Sequence, residues 1–131
     1  MTSSPIVAFL EGEGVDAGGR TVFDVLAMDN AALEQTHDFI QWLFPLPEPS
    51  GAVPDAPVLM PADIHAIRDS ELAPIALAGG TDRMASFYRA THDWLMPNDH
   101  NHRRITRIIR SLRLLVGDAE ADAFRAVILA R

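Results

Sequence analysis

Histidines that lie beside carboxylates are the side chains of this sequence with the clearest chemical potential. Imidazole and carboxylate groups are common ligands of zinc and other transition metals. However, His100 and His102 are two residues apart, so on a helix their side chains point about 200° away from each other. We therefore favour capping and hydrogen-bonding roles, and we expect no metal and no cofactor. The residues considered for a metal site are His37, His92, His100, His102, Asp38, Asp93 and Asp99.

Serine hydroxyls are the next candidates for catalysis, because the chain contains no cysteine. No glycine-rich phosphate loop follows a predicted strand. His37 and Asp38 are adjacent, and neighbouring side chains on a helix diverge, so these two residues form no catalytic dyad. We expect a protein that is not an enzyme. No nucleophile-elbow motif surrounds the serines considered, which are Ser50, Ser70, Ser86 and Ser111.

All eleven basic residues are arginine, and five of them fall within residues 103–113. Residues 1–99 carry four arginines against fifteen acidic residues, a charge of −11, whereas residues 100–131 carry seven against three, a charge of +4. Such a segment could bind an anion or a nucleic acid through Arg103, Arg107 and Arg110. The net charge of −7 and the lack of lysine favour instead a solvated helix face that pairs with nearby acids. The exclusive use of arginine also suggests a GC-rich, bacterial genome.

Hydrophobic spacing predicts that helices position these side chains. Residues 6–10 form a first short helix, and Thr21 caps a second helix over residues 22–28. A longer helix over residues 30–44 begins at Asp29 or Asn30 and stops at Pro45. Its polar sector contains Glu34, Asp38 and Gln41, with Trp42 outside the apolar stripe. The expected inward residues are Phe23, Leu26 and Ala27 of the second helix and Leu33, Phe39, Ile40, Leu43 and Phe44 of the longer one.

The second half of the chain begins with a connector that six prolines between residues 45 and 61 make extended and stiff. A short helix over residues 62–68 follows Pro61. We expect Pro74 and the glycines at 79 and 80 to interrupt the chain before a helix capped by Thr81 or Asp82, which ends near residue 95. Two further helices cover about residues 99–116 and 119–130. The predicted fold is an all-α, irregular single-domain helical bundle over residues 1–131.

The expected cellular setting follows from two simple patterns. No apolar run approaches the ~20 residues that a helix needs to span a membrane. The first residues have no basic region of the kind found in secretory signals, so we expect a cytoplasmic location. The sequence does not indicate the oligomeric state.

Two stretches together resemble the signature of the opioid growth factor receptor conserved region. The first covers residues 37–46 and reads HDFIQWLFPL. The second covers residues 100–112 and reads HNHRRITRIIRSL, and a weaker match over residues 84–88 reads MASFY. The resemblance extends over a core of about residues 29–128, so the chain is identified as a single-domain member of this family.

The resemblance implies a binding module with a receptor or signalling role and a peptide or protein partner. The animal members are described as nucleus-associated receptors for an enkephalin-type growth factor peptide. From the residues themselves, we expect the polar sectors of the two long motifs to face each other, with Asp38 or Glu34 paired to Arg104 or Arg107. The candidate ligand-binding residues are His37, Asp38, Gln41, Trp42, His100, Asn101, Arg104 and Arg107.

Overall fold

The computed structural model describes residues 4–51 and 53–131, and the regular elements within those ranges are all helical. The prediction of an all-α fold is therefore confirmed. No helix in the described ranges is both long enough and apolar enough to cross a membrane. The helices are α1 (Pro5–Leu10), α2 (Val22–Leu26), α3 (Asn30–Gln35), α4 (Ile40–Leu43), α5 (Pro61–Asp69), α6 (Ala73–Ala90), α7 (Asn101–Leu115) and α8 (Asp118–Leu129), with a short 3-10 helix at Asp93–Leu95.

A single apolar cluster joins residues from all eight of these helices. The predicted stripe of residues 33–44 is confirmed, because Phe39, Leu43 and Phe44 are fully enclosed. Trp42 packs its ring against Phe9 of α1, with the ring centroids 5.9 Å apart. The off-stripe tryptophan is thus part of the packing between α1 and α4.

The helix predicted over residues 30–44 is in fact two helices, α3 and α4. Thr36 ends α3 in an extended conformation with ψ at 120°. The guanidinium of Arg104 donates hydrogen bonds to the carbonyl oxygens of Leu33 and Thr36, both at 2.7 Å. The last turn of α3 therefore finds its hydrogen-bond partners outside its own helix. Local periodicity favoured one continuous helix. Contacts with a residue about 70 positions away in sequence stabilise a break at this point instead.

Helix α6 continues through the residues that were predicted to break it. Pro74 occupies the first turn, where a missing N–H costs little, so it starts the helix instead of ending it. Gly80 lies against α4, and a Cβ atom at this position would approach Leu43 to 2.9 Å. Thr81 is an interior residue whose hydroxyl donates to the Leu77 carbonyl. The predicted break and the cap at Thr81 or Asp82 are both wrong.

Helix α6 ends at Ala90 and a separate 3-10 helix covers Asp93–Leu95, so the predicted helix end near residue 95 is wrong. The other helix boundaries agree closely with the prediction, but the predicted inward face of α2 is only partly correct. Thr21 and Asp24 form a reciprocal capping box at the start of α2. The side chains that α2 buries are Val22 and Val25. Of the predicted inward residues, Leu26 packs partly buried against the core, whereas Phe23 is 66% exposed and Ala27 is exposed, so the prediction is wrong for these two. Gly117 adopts a positive φ of 152° between α7 and α8, as expected for the predicted helix stop.

The connector between α4 and α5 is held near both ends by hydrogen bonds to its main-chain carbonyl oxygens. The Ser111 hydroxyl donates to the carbonyl oxygen of Pro45 at 2.9 Å. The N–H of Leu59 donates to the carbonyl oxygen of Leu46, and both leucine side chains are buried. The start of the connector is consequently fixed against α7. This arrangement brings the first motif and the arginine-rich helix together.

Candidate functional site

An open groove of about 980 Å³ lies where α4 and the connector meet α7. One wall is formed by His37 and Gln41, and the connector extends it with Glu48 and nearby residues. The opposite wall is the N-terminal part of α7. Its groove-lining residues include His100, Arg103, Arg104, Arg107 and Arg110.

Arg104 is a buried cation that contacts main-chain oxygens. Besides its bonds to Leu33 and Thr36, it approaches Nδ1 of His37 at 3.3 Å and lies over the ring of Phe39. Burial lowers the pKa of Arg104, because removing the guanidinium from water disfavours its charge. Arg104 therefore fixes the link between α3 and α4, and it also lines the groove.

Arg107 binds the next part of the same segment. Its Nε donates to the carbonyl oxygen of Phe44 at 2.8 Å, and a longer contact of 3.5 Å reaches the carbonyl oxygen of Gln41. Burial also lowers the pKa of Arg107. Since α4 has only four residues, these carbonyls at its C-terminal end depend on partners outside the helix.

The predicted pairing of Asp38 or Glu34 with Arg104 or Arg107 is wrong. Asp38 accepts a hydrogen bond from Arg20, which also pairs with the buried Asp16. Arg20 thus ties the loop before α2 to the link between α3 and α4. Arg104 and Arg107 instead donate to main-chain carbonyl oxygens at the ends of the short helices α3 and α4. A sequence pattern does not reveal these acceptors.

Asn101 is fully buried and acts as a hydrogen-bonding centre between three helices. Its Oδ1 accepts from the Tyr88 hydroxyl at 3.1 Å. Its Nδ2 donates to Glu34 at 3.0 Å and to Asp99 at 3.0 Å. Burial strongly raises the pKa of Tyr88, so the phenol stays protonated and donates this bond at neutral pH. Asn101, predicted as a ligand-binding residue, connects α3, α6 and the start of α7.

The histidines considered for a metal site are used in several different ways. His102 bonds the carbonyl oxygen of Trp94 through Nε2, and His92 contacts Arg131. His37 and His100 meet edge to face, with ring centroids 5.3 Å apart. His100 also lies 3.3 Å from Glu34. These contacts agree with the predicted capping and hydrogen-bonding roles.

One group of donor atoms could in principle converge on a cation. Ligand atoms of Glu34, Asp99 and His100 lie within 4.8 Å of one another. They surround the N-terminus of α7, where the helix dipole is positive and favours anionic side chains over a metal ion. The buried amide of Asn101 already donates to both carboxylates. We interpret the group as the cap of α7.

The arginine-rich face is largely occupied by partners. Arg110 meets Glu48 with two bonds of 2.6 and 2.9 Å. Arg113 pairs with Asp118 and Asp122, both at 2.9 Å. Within the described ranges, Arg103 is the residue of this face with no hydrogen bond or ion pair. The preferred interpretation from sequence, a helix face that pairs with nearby acids, therefore fits Arg110 and Arg113.

Five of the eight predicted ligand-binding residues line the groove, and three do not. Asp38, Trp42 and Asn101 are used in the structural contacts described above. Gln41 lines the groove and is only 4% exposed, and its Oε1 atom has no hydrogen-bond partner in the described part of the chain. The predicted residues in the groove are His37, Gln41, His100, Arg104 and Arg107.

Glu48 is a charged groove residue that sequence reasoning missed. It faces Arg110 from 62 positions away, and no local pattern links the two. Its only sequence signal is that it is the single acidic residue among the first prolines of the connector. That signal becomes meaningful once the connector is known to lie along α7.

The fold and the groove define an all-α domain with a cationic cleft beside a four-residue helix. Residues 19–91 match the family model described as the opioid growth factor receptor (OGFr) conserved region. The match covers more than half of the chain, and the chain belongs to this family. It includes the first motif and residues 84–88 but ends before residues 100–112, so it is shorter than the predicted extent of 29–128. Comparisons with curated proteins and with solved structures found no match.

Proposed function

We propose that this chain is a non-enzymatic, receptor-type binding module that takes an extended peptide segment carrying at least one carboxylate. The peptide lies in the groove between α4, the connector and α7. Membership of the opioid growth factor receptor conserved region supports a peptide partner. The groove volume of about 980 Å³ is at the upper end of the range for ligand sites, about 300–1,000 Å³.

The observation that carries this proposal is the pairing of Arg104 and Arg107 with neutral carbonyl oxygens. Carbonyl groups satisfy the N–H donors but do not neutralise the positive charge. In the described ranges, no carboxylate lies within ion-pair distance of Arg103, Arg104 or Arg107. Charges in partly buried clefts act more strongly than charges in water. A ligand carboxylate would therefore meet an attractive field along this wall.

The other groups of the groove suit a peptide main chain. Gln41, Ser50 and the histidines offer polar atoms, while Ile40 and Leu46 add apolar surface. Peptide-binding sites commonly combine a few polar groups with apolar contact. Serine and histidine in this wall have hydrogen-bonding roles, since Ser50 accepts from the N–H of Val53.

The second candidate, an anion or nucleic-acid site on the surface of α7, has weaker support. It requires a row of free cations at Arg103, Arg107 and Arg110. Arg110 is held by Glu48, and Arg107 donates into the end of α4. Nucleic-acid binding depends on several phosphate contacts at once. Only one of these three arginines, Arg103, has no partner in the described ranges, which is too few for several phosphate contacts. We therefore prefer the peptide-binding function to the nucleic-acid-binding function.

Fluorescence anisotropy with labelled probes tests the proposal. The probes are an enkephalin-type pentapeptide with a free C-terminal carboxylate, its C-terminal amide, the octapeptide (Gly-Glu)4, the octapeptide (Gly-Lys)4 with an amidated C-terminus, and a single-stranded oligonucleotide of eight bases. We expect the carboxylate-bearing peptides to bind and the amide and lysine peptides to bind weakly. Arg103→Gln should weaken binding about threefold to tenfold, because one charged contact contributes about 1 kcal/mol.

Arg125→Gln is the matched control, since Arg125 is an exposed arginine on α8 away from the groove. It should leave the affinity unchanged. Tighter binding of the oligonucleotide than of any peptide, with a steep loss of affinity between 50 and 300 mM salt, would favour the second candidate. Failure of every peptide to bind would contradict the proposal.

A further inference from the structure

Glu48 places a carboxylate of the protein itself inside the cationic groove. Its two oxygens accept hydrogen bonds from both terminal nitrogens of Arg110, at 2.6 and 2.9 Å. This is the two-pronged geometry that arginine uses to recognise carboxylates in general. Both partners line the groove. The pair therefore shows how the groove holds a carboxylate.

Arg110 belongs to a row of arginines that faces the groove. Arg103, Arg107 and Arg110 are spaced at i, i+4 and i+7, so they lie on one side of α7. Among the described residues, Arg110 is the only one of the three with a carboxylate partner. Glu48 occupies one end of the row, and Arg107 in the middle is bonded to neutral carbonyl oxygens that leave its charge uncompensated. Arg103, at the other end, has no partner in the described ranges and can bind a second negative group.

The segment that carries Glu48 lies outside the core. Leu46, two residues earlier, is buried and bonded to Leu59, which fixes the start of the connector. Pro47, Glu48 and Pro49 are all exposed. The side chains of Arg110 and Glu48 are 50% and 48% exposed, so water already reaches the ion pair. Exposed pairs of this kind contribute little to stability and exchange readily.

We infer that Glu48 is an intramolecular competitor, which holds Arg110 until a carboxylate side chain of an acidic peptide replaces it. This inference rests on the proposed function and makes it more specific. It names acidic peptides as the ligand class, and it assigns to the Glu48–Arg110 pair the control of ligand access to Arg110. The hydrogen bonds from Arg110 lower the pKa of Glu48. The competitor is therefore ionised at neutral pH.

Removal of the competitor should strengthen the binding of an acidic probe. Glu48→Gln keeps the size of the side chain and removes its charge. We expect the dissociation constant of labelled (Gly-Glu)4 to fall about threefold to fivefold, which corresponds to the loss of one exposed ion pair. The uncharged probe (Gly-Gln)4, with both ends blocked, should show no such gain.

Two further variants separate competition from a general change of charge. Asp122→Asn removes the same charge from an exposed ion pair with Arg113, on residues that do not line the groove. It should leave the affinity for (Gly-Glu)4 unchanged. In an Arg110→Gln background, Glu48→Gln should lose most of its effect, because the contested group is absent. Circular dichroism and urea unfolding of each variant check that the fold is kept.

The possible outcomes distinguish this inference from the proposed function. Equal affinities of the wild type and Glu48→Gln for (Gly-Glu)4 would overturn the competitor role and leave the binding groove intact. A gain that persists in the Arg110→Gln background would also overturn it, since the effect would then be one of overall charge. If no variant binds any peptide, the proposed function fails and the competitor role fails with it.

Discussion

Arg104 satisfies the last carbonyl groups of α3 from a helix that lies far along the chain. Its bonds to Leu33 and Thr36 let α3 end and the chain turn into α4. A helix end that is buried without such partners is costly. At the scale of single residues, the fold therefore depends on a cation that binds main-chain oxygens.

Replacement of Arg104 should destabilise the protein markedly. Arg104→Gln leaves at least one buried carbonyl without a donor, and we expect the free energy of unfolding to fall by about 2–4 kcal/mol. Urea unfolding followed by circular dichroism measures this loss. Arg103→Gln, on the exposed neighbouring residue, should stay within about 0.5 kcal/mol of wild type. Similar losses for both variants would contradict the structural role of Arg104.

His37 should make folding stability depend on pH. Partial desolvation of the ring and the nearby Arg104 guanidinium lower the pKa of His37 below its ordinary value of about 6.5. The unfolded chain therefore takes up this proton first as the pH falls. Stability from this group is fully present above pH ~6.5 and decreases as the pH drops from there towards the lowered folded-state pKa.

The wild type and His37→Gln should be compared by urea unfolding at pH 7.5 and pH 5.0. Glutamine can still accept a hydrogen bond from Arg104 but does not titrate. We expect the variant to lose less stability than wild type over this interval. An NMR titration of the His37 ring should give a pKa below 6.5. The same pH dependence in both proteins would show that His37 does not contribute.

At the scale of elements, the contact between α6 and α4 depends on one glycine. Gly80→Ala would bring a Cβ to within 2.9 Å of three atoms of the buried Leu43. We expect a loss of about 1–3 kcal/mol, because overpacking costs more than the gain in helix propensity. Gly79→Ala meets only Leu26, at 3.4 Å, and should be neutral or stabilising by up to about 1 kcal/mol.

Thermal and urea unfolding of this adjacent pair gives the test. Both substitutions make the same chemical change in the same helix, so any difference between them reports the approach of α4. If Gly80→Ala were as stable as Gly79→Ala, the close packing of α6 on Leu43 would be wrong.

Most helices could be predicted from sequence because their signals are local. Thr21 with Asp24, Pro61 and Gly117 fix helix ends through their own backbone chemistry. The α3–α4 break and the continuity of α6 could not be predicted in this way. The first depends on a distant Arg104, and the second on whether Gly80 faces a neighbouring helix. Both are tertiary effects that override local propensity.

The candidate site was predictable in part for the same reason. The two polar motifs do meet, and residues from both line the groove. Their pairing was wrong because carboxylates were assumed to be the partners of Arg104 and Arg107, whereas free carbonyl oxygens at the ends of short helices compete for the same donors. Glu48 was missed because its contact with Arg110 links residues far apart in sequence.

At the scale of the whole molecule, the uneven charge is largely used within the fold. The basic segment after residue 100 docks on the acidic body through Arg104, Arg107 and the Arg110–Glu48 pair. The first two of these contacts leave positive charge in the groove, because carbonyl oxygens do not neutralise it. A single helix thus stabilises the fold and supplies the proposed ligand surface.

The central claim is that a carboxylate-bearing peptide binds in the groove between α4, the connector and α7. The most direct measurement is a titration of the ¹⁵N-labelled protein with (Gly-Glu)4, followed by amide chemical shifts. We expect changes at His37, Ser50, Arg103 and Thr106, which line the groove, and much smaller changes with (Gly-Lys)4. Shifts confined to α8 and the region around Arg68, or no shifts with millimolar peptide, would contradict it.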